Sequence, residues 1–192
     1  MNTSELSRYV RAGFAALMMS GLVAGSAAAQ ANSQFSTTQL VAAGNNFFGQ
    51  VAGNVASVIE NAIGQFGLPN GYILGQTVGG AFIGGIRYGE GTLYTQNIGS
   101  FPIFWQGPSI GFDIGADASQ TMMLVYNLPS IEGLFRRFPS VAGQAYAVGG
   151  VGVSVMSNGG TTIVNIVSGV GARLGISIGY LRFTSEPTWN PF

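Results

Sequence analysis

Two periods of hydrophobicity divide the chain. Leu40, Ala43, Phe47, Val51, Val55, Val58, Ala62 and Phe66 recur at helical spacing, with Asn45, Gln50, Asn54 and Asn61 on other faces. Ser36 and Gln39 stand at the spacing of a capping box, and Gly67 with Pro69 supplies a stop. The pattern predicts one long amphipathic helix over residues 37–66, behind a loose polar segment at 30–36. Its apolar stripe needs a partner surface, which the rest of the chain must supply.

Beyond "LPNG" the period falls to two. Strands are predicted near residues 71–78, 80–88, 91–96, 109–116, 120–127, 143–156, 161–168 and 171–184. "GEG" at 89–91 and "SNGG" at 157–160 read as hairpin connections. A short helix is predicted at 130–138, with Pro129 where a first turn tolerates proline. Short strands at regular spacing predict a mainly β fold, a small antiparallel barrel of about eight strands over residues 69–192. The long helix precedes the barrel within one domain, and the short helix is inserted in it.

The parities of "WQGPSIGFDIGADA" at 105–118 disagree. From Gly107 the odd positions are Gly, Ser, Gly, Asp, Gly and Asp; from Pro108 the even ones are Pro, Ile, Phe, Ile, Ala and Ala. A strand of this kind has one apolar face and one nearly without side chains. "GARLGISIGYLRF" repeats the grammar. Glycine-lined faces permit tight coiling and close backbone approach. They also leave room for a cleft that takes a slender apolar or glycan-like ligand.

Composition narrows the chemistry. Only 7% of residues are charged, against about 25% in ordinary globular chains, and there are 31 glycines. Lysine, histidine and cysteine are absent. That excludes a basic nucleic-acid footprint, disulfides, thiolate metal sites, thiol or Schiff-base catalysis and a Ser–His–Asp triad. The acids are too dispersed for a recognisable metal loop, so neither metal nor cofactor is expected.

The first 29 residues carry Arg8 and Arg11, an apolar run, then Ala27 and Ala29 at signal-peptidase spacing. They read as a secretory leader cleaved before Gln30, which predicts a periplasmic product. The apolar run is shorter than the ~20 residues of a membrane-spanning helix.

Two carboxylates suffice to hydrolyse a glycosidic bond, so Glu90 with Asp113 or Asp117 is a candidate pair. The alternative is that Glu90 is a hairpin-turn acid and the aspartates pair with arginines. Arg87, Tyr88, Glu90, Trp105, Asp113 and Arg173 form the candidate binding set. Arg87 and Arg173 lie in apolar strands, where a charge needs a partner or water, and Asp113 with one of them is expected to form a partly buried pair. Arg136 and Arg137, before Phe138, either contact an anionic head group or complement the dipole of the short helix.

The blocks "GGIRYGEGTLY", "WQGPSIGFDIGADAS", "LVYNL", "AYAVGGVGV", "SGVGARLGISIGYL" and "TWNPF" resemble the envelope integrity protein A family, secreted proteins of Gram-negative bacteria. The resemblance runs from about Phe35 to Phe192. It implies a soluble periplasmic small β-barrel needed for envelope integrity, with no established enzymatic activity. More distantly, Trp105, Pro108, Gly111 and Gly115 resemble the layout of the SYLF lipid-binding domain.

Together these point to a non-enzymatic envelope protein whose partner is a lipid, a glycan or another envelope protein. Two alternatives stand beside it: a carbohydrate-active enzyme using Glu90, and an outer-membrane-spanning barrel. Against the latter, Pro187 and Pro191 break the terminal segment, and several strands are short.

Overall fold

The computed structural model describes residues 33–49, 54–80, 86–108, 118–168 and 179–188. Helix α1 spans Thr37–Phe48 and α2 spans Val55–Phe66. The capping box forms: the Ser36 hydroxyl accepts from the Gln39 N–H at 3.3 Å, and the Gln39 side chain accepts from the Ser36 N–H at 2.9 Å.

The single helix expected over 37–66 is a helical pair instead. Gly49 adopts φ 62°, outside helical values, and its N–H returns to the Asn45 carbonyl. The Phe35 N–H donates to the Pro69 carbonyl at 2.9 Å, so the entry to α1 meets the exit from α2. Gly44 lets the two helices approach, since a Cβ there would lie 2.7 Å from Ile59 Cδ1. The stripe turns accordingly. In α1 Leu40, Gly44 and Phe48 are buried, rather than Ala43 and Phe47; in α2 Val55, Val58 and Ala62 are joined by Ile59.

Eight antiparallel strands follow: β1 Gly71–Gly80, β2 Ile86–Thr95, β3 Gly99–Pro108, β4 Ser119–Tyr126, β5 Arg137–Val148, β6 Val151–Asn158, β7 Thr161–Ser168 and β8 Tyr180–Thr184. They close into a barrel in the order β1-β2-β3-β8-β5-β6-β7-β4. The "SNGG" hairpin forms, with Gly159 and Gly160 at φ 59° and 86°.

Other boundaries differ from expectation. "GEG" is no turn: Gly89, Glu90 and Gly91 pair with Trp105, Phe104 and Ile103 in the middle of β2. β3 is a strand that the alternation of 99–108 did not reveal. The single strand expected at 143–156 is two, separated at Gly149 and Gly150. The short helix shrinks to a 3-10 turn over Glu132–Leu134, because Phe138 pairs with Leu181 and faces the barrel interior as part of β5. The strand expected at 109–116 and most of that at 171–184 lie outside the described residues.

Alternation builds two cores. Ile73, Leu93, Ile103, Trp105, Met123, Val125, Phe138, Met156, Ile163, Leu181 and Phe183 fill the barrel. On the outer wall, Met122, Leu124 and Tyr126 of β4, Val151, Val153 and Val155 of β6, and Val164 and Ile166 of β7 take the apolar faces of α1 and α2. The partner surface required by the amphipathic helices is thus the outside of their own barrel.

Leu128 and Leu134 complete the interior core where β1 begins, and Asn70 bonds Leu128 through both side-chain amide atoms, at 2.8 and 3.1 Å. Toward the other strand ends, Gly80, Pro108, Ser119 and Ser168, the interior-facing positions turn polar. Thr77, Arg87, Thr121, Ser154 and Asn165 stand there.

Candidate functional site

The helices cover β4, β7 and β6, while the outward positions of β1, β2 and β3 enclose a pocket of about 240 Å³. Gln76 and Val78 line it from β1, Tyr88 and Glu90 from β2, Phe104 and Gln106 from β3, and Pro187 and Thr188 from the segment after β8. Gly89 and Trp105 also reach it, although Trp105 belongs to the inward parity of β3. An inward Cβ on Gly89 would overlap the indole, so the ring lies directly against the Gly89 backbone.

The glycine-lined faces expected at 107–117 and 171–179 lie mostly outside the described residues, but β1 and β2 carry bare inward positions of the same kind. Ideal Cβ atoms on Gly75 and Gly89 would both overlap Trp105, and one on Gly91 would meet the backbone of Leu74 and Gly75. A side chain and neighbouring backbone occupy the bare faces of β1 and β2. The Trp105 Nε1–H donates to the Thr77 hydroxyl at 3.0 Å, which lies 2.9 Å from the Thr121 hydroxyl. This chain of polar groups holds the ring against the inside of the pocket wall.

Gln106 is the group that marks the pocket chemically. It is 1% exposed, and its Nε2 has no hydrogen-bond partner among the described residues. A buried unpaired amide costs about 1–3 kcal/mol, so its presence needs a reason. Glu90 is exposed and carries the one charge among the described lining residues. In register it opposes Phe104, while Gln106 opposes Tyr88, so the carboxylate and the amide are diagonal neighbours on one face. Among the described residues no group of three or more His, Cys, Asp or Glu gathers to hold a metal ion.

Of the residues singled out from sequence, the pocket brings together Tyr88, Glu90 and Trp105. Arg87 does not join them: it faces the barrel interior and is 6% exposed. Arg136 and Arg137 do not close a helix. Arg136 donates from Nε to the Gly133 carbonyl and lies 6.0 Å from the Phe138 ring centroid. Arg137 begins β5 and lies 5.5 Å from the Tyr180 centroid. Asp113, Asp117 and Arg173 lie outside the described residues, and with them the expected aspartate–arginine pair. Sequence reading missed Gln76, Phe104, Gln106 and Pro187. One signal was available, a lone amide at 106 in a parity otherwise held by Phe104, Pro108 and Ile110.

The profile of envelope integrity protein A matches residues 33–192. The chain belongs to the envelope integrity protein A family. Among solved structures it is similar to a β-barrel-like, uncharacterised protein from Brucella abortus, with 52% identity and a TM-score of 0.77. That match covers 83% of this chain and 99% of the other. A comparison with curated protein sequences finds no match. Membership in this family agrees with the resemblance carried by the "RYGEG", "WQGPS" and "TWNPF" blocks, and the similar structure agrees on the barrel. No described helix is long and apolar enough to cross a membrane.

Proposed function

We propose that this chain acts in the periplasm, after removal of its leader, as a non-enzymatic protein that maintains the envelope by binding one of its components, a lipid, a glycan or a protein. The ligand seats in the β1–β3 pocket. The observation that carries this reading is Gln106, a buried residue in the pocket lining whose Nε2 has no partner among the described residues. Apolar residues would seal that wall at lower cost, so the amide is retained for something that arrives from outside. The family's envelope role and the secretory pattern of residues 1–29 support the same reading.

A membrane-spanning barrel fits these observations poorly. Such a barrel turns an apolar band to lipid and encloses a polar lumen. Here the apolar outer faces of β4, β6 and β7 are packed under helices, and much of the interior is apolar.

The test is complementation of a deletion strain by Gln106→Met and Phe104→Ala chains that accumulate normally in the periplasmic fraction. Loss of envelope protection with folding intact supports the pocket; full protection by both removes it. Glu90 remains the acid that a carbohydrate-active enzyme would use, because among the described residues it alone brings a carboxylate to the pocket. Full complementation by Glu90→Gln disposes of that alternative.

A further inference from the structure

Resting on the pocket reading, we infer that the ligand is an uncharged sugar residue of an envelope glycan, gripped between the Gln106 amide and the Glu90 carboxylate. Three features of the pocket converge on this class. Gln106 offers N–H donors with no partner among the described residues, so the ligand must bring an acceptor oxygen. Glu90 offers only acceptors when ionised, so the ligand must also bring donors. Phe104, Tyr88, Val78 and Pro187 supply apolar surface around these two groups. A pyranose has this mixture: hydroxyls that both donate and accept around its rim, and C–H faces that pack on aromatic rings.

Size and the buried amide favour a sugar over a lipid. The pocket, about 240 Å³, is smaller than the ~300–1,000 Å³ of clefts that engulf drug-sized ligands, and suits one ring with its substituents. An acyl chain would leave the Gln106 amide unpaired in a dry site. The diagonal placement of Glu90 and Gln106 spans a distance that a six-membered ring with its hydroxyls can bridge. Behind them the indole of Trp105, packed against the Gly89 backbone and among the lining residues, lies within sensing distance of whatever binds.

The experiment uses the chain without its leader carrying Trp189→Phe, so that emission reports Trp105 alone. It is titrated with neutral oligosaccharides of glucose, galactose, mannose and N-acetylglucosamine, and in parallel with phosphatidylglycerol vesicles. At least one neutral sugar should shift the emission and saturate. Gln106→Met should then weaken binding about tenfold or more, the size of a lost hydrogen bond, while leaving Tm unchanged or raised. Glu90→Gln should weaken binding at unchanged Tm. The inference is overturned if no neutral sugar binds, or if Gln106→Met lowers Tm, since the amide would then serve the fold. Binding to vesicles that Gln106→Met abolishes would overturn the sugar assignment while sparing the pocket. Full complementation by both Gln106→Met and Phe104→Ala would remove the pocket itself.

Discussion

Trp105 on β3 donates its indole N–H to the Thr77 hydroxyl on β1, at 3.0 Å, reaching over the whole width of β2. The reach is possible because the inward positions of β2 beneath it are Gly89 and Gly91. One bond therefore explains part of a glycine pattern that would otherwise weaken the strands.

Gly89→Ala places a methyl group inside the indole. Overpacking of this kind costs about 1–3 kcal/mol. We expect a lower urea midpoint, with Trp105 emission altered in the folded state. Gly64→Ala is the contrast: nothing lies within 4 Å of its added Cβ, and it sits in the interior of α2. Replacing a helical glycine by alanine should raise stability by up to about 1 kcal/mol.

Thr77→Val keeps the volume and removes the acceptor. The buried indole N–H loses its partner, and the Thr121 hydroxyl keeps only the Ser119 carbonyl at 3.4 Å. A loss of about 1–3 kcal/mol is expected in denaturant unfolding. A cost near zero would mean that the bond does not hold the ring.

Tyr126 is 2% exposed, packs 5.7 Å from the Phe66 ring, and its hydroxyl has no hydrogen-bond partner among the described residues. Burial pushes its pKa above the ordinary value of 10.0. The folded state then holds the phenol proton more tightly than the unfolded chain. Its contribution is complete below pH about 10 and is lost as pH rises from there through the folded pKa. Tyr126→Phe should leave stability at pH 7 unchanged, or higher by about 1 kcal/mol, and make the alkaline loss shallower. Thermal unfolding between pH 7 and 12 reads both effects.

Ser36→Ala breaks the half of the capping box in which the Ser36 hydroxyl accepts from the Gln39 N–H, and keeps the backbone N–H that donates to the Gln39 side chain. The expected cost is about 0.5–2 kcal/mol. Hydrogen exchange should show the loss first in the opening turn of α1, with barrel amides little affected.

Local rules made several elements legible. Ser36, Gln39 and Gly67 mark helix ends through bonds within a few residues, and Gly159–Gly160 marks a hairpin through backbone sign alone. Period-two alternation likewise identified a barrel with an amphipathic helical face to be covered. Gly49 was passed over because the apolar spacing on either side of it stayed nearly in phase, although the chain reverses there.

The strand partners and the pocket belonged to tertiary structure. Whether "GEG" turns or runs straight depends on β3 lying beside it, 14 residues away between Gly91 and Trp105, and no local propensity encodes that neighbour. Gln106 looks like an ordinary polar residue until Tyr88, Arg182 and the segment at Pro187 surround it. The sequence by itself determined which faces must be buried, because side-chain direction follows from backbone period. Only closure of the barrel decided what each face would meet, because those contacts join residues distant along the chain.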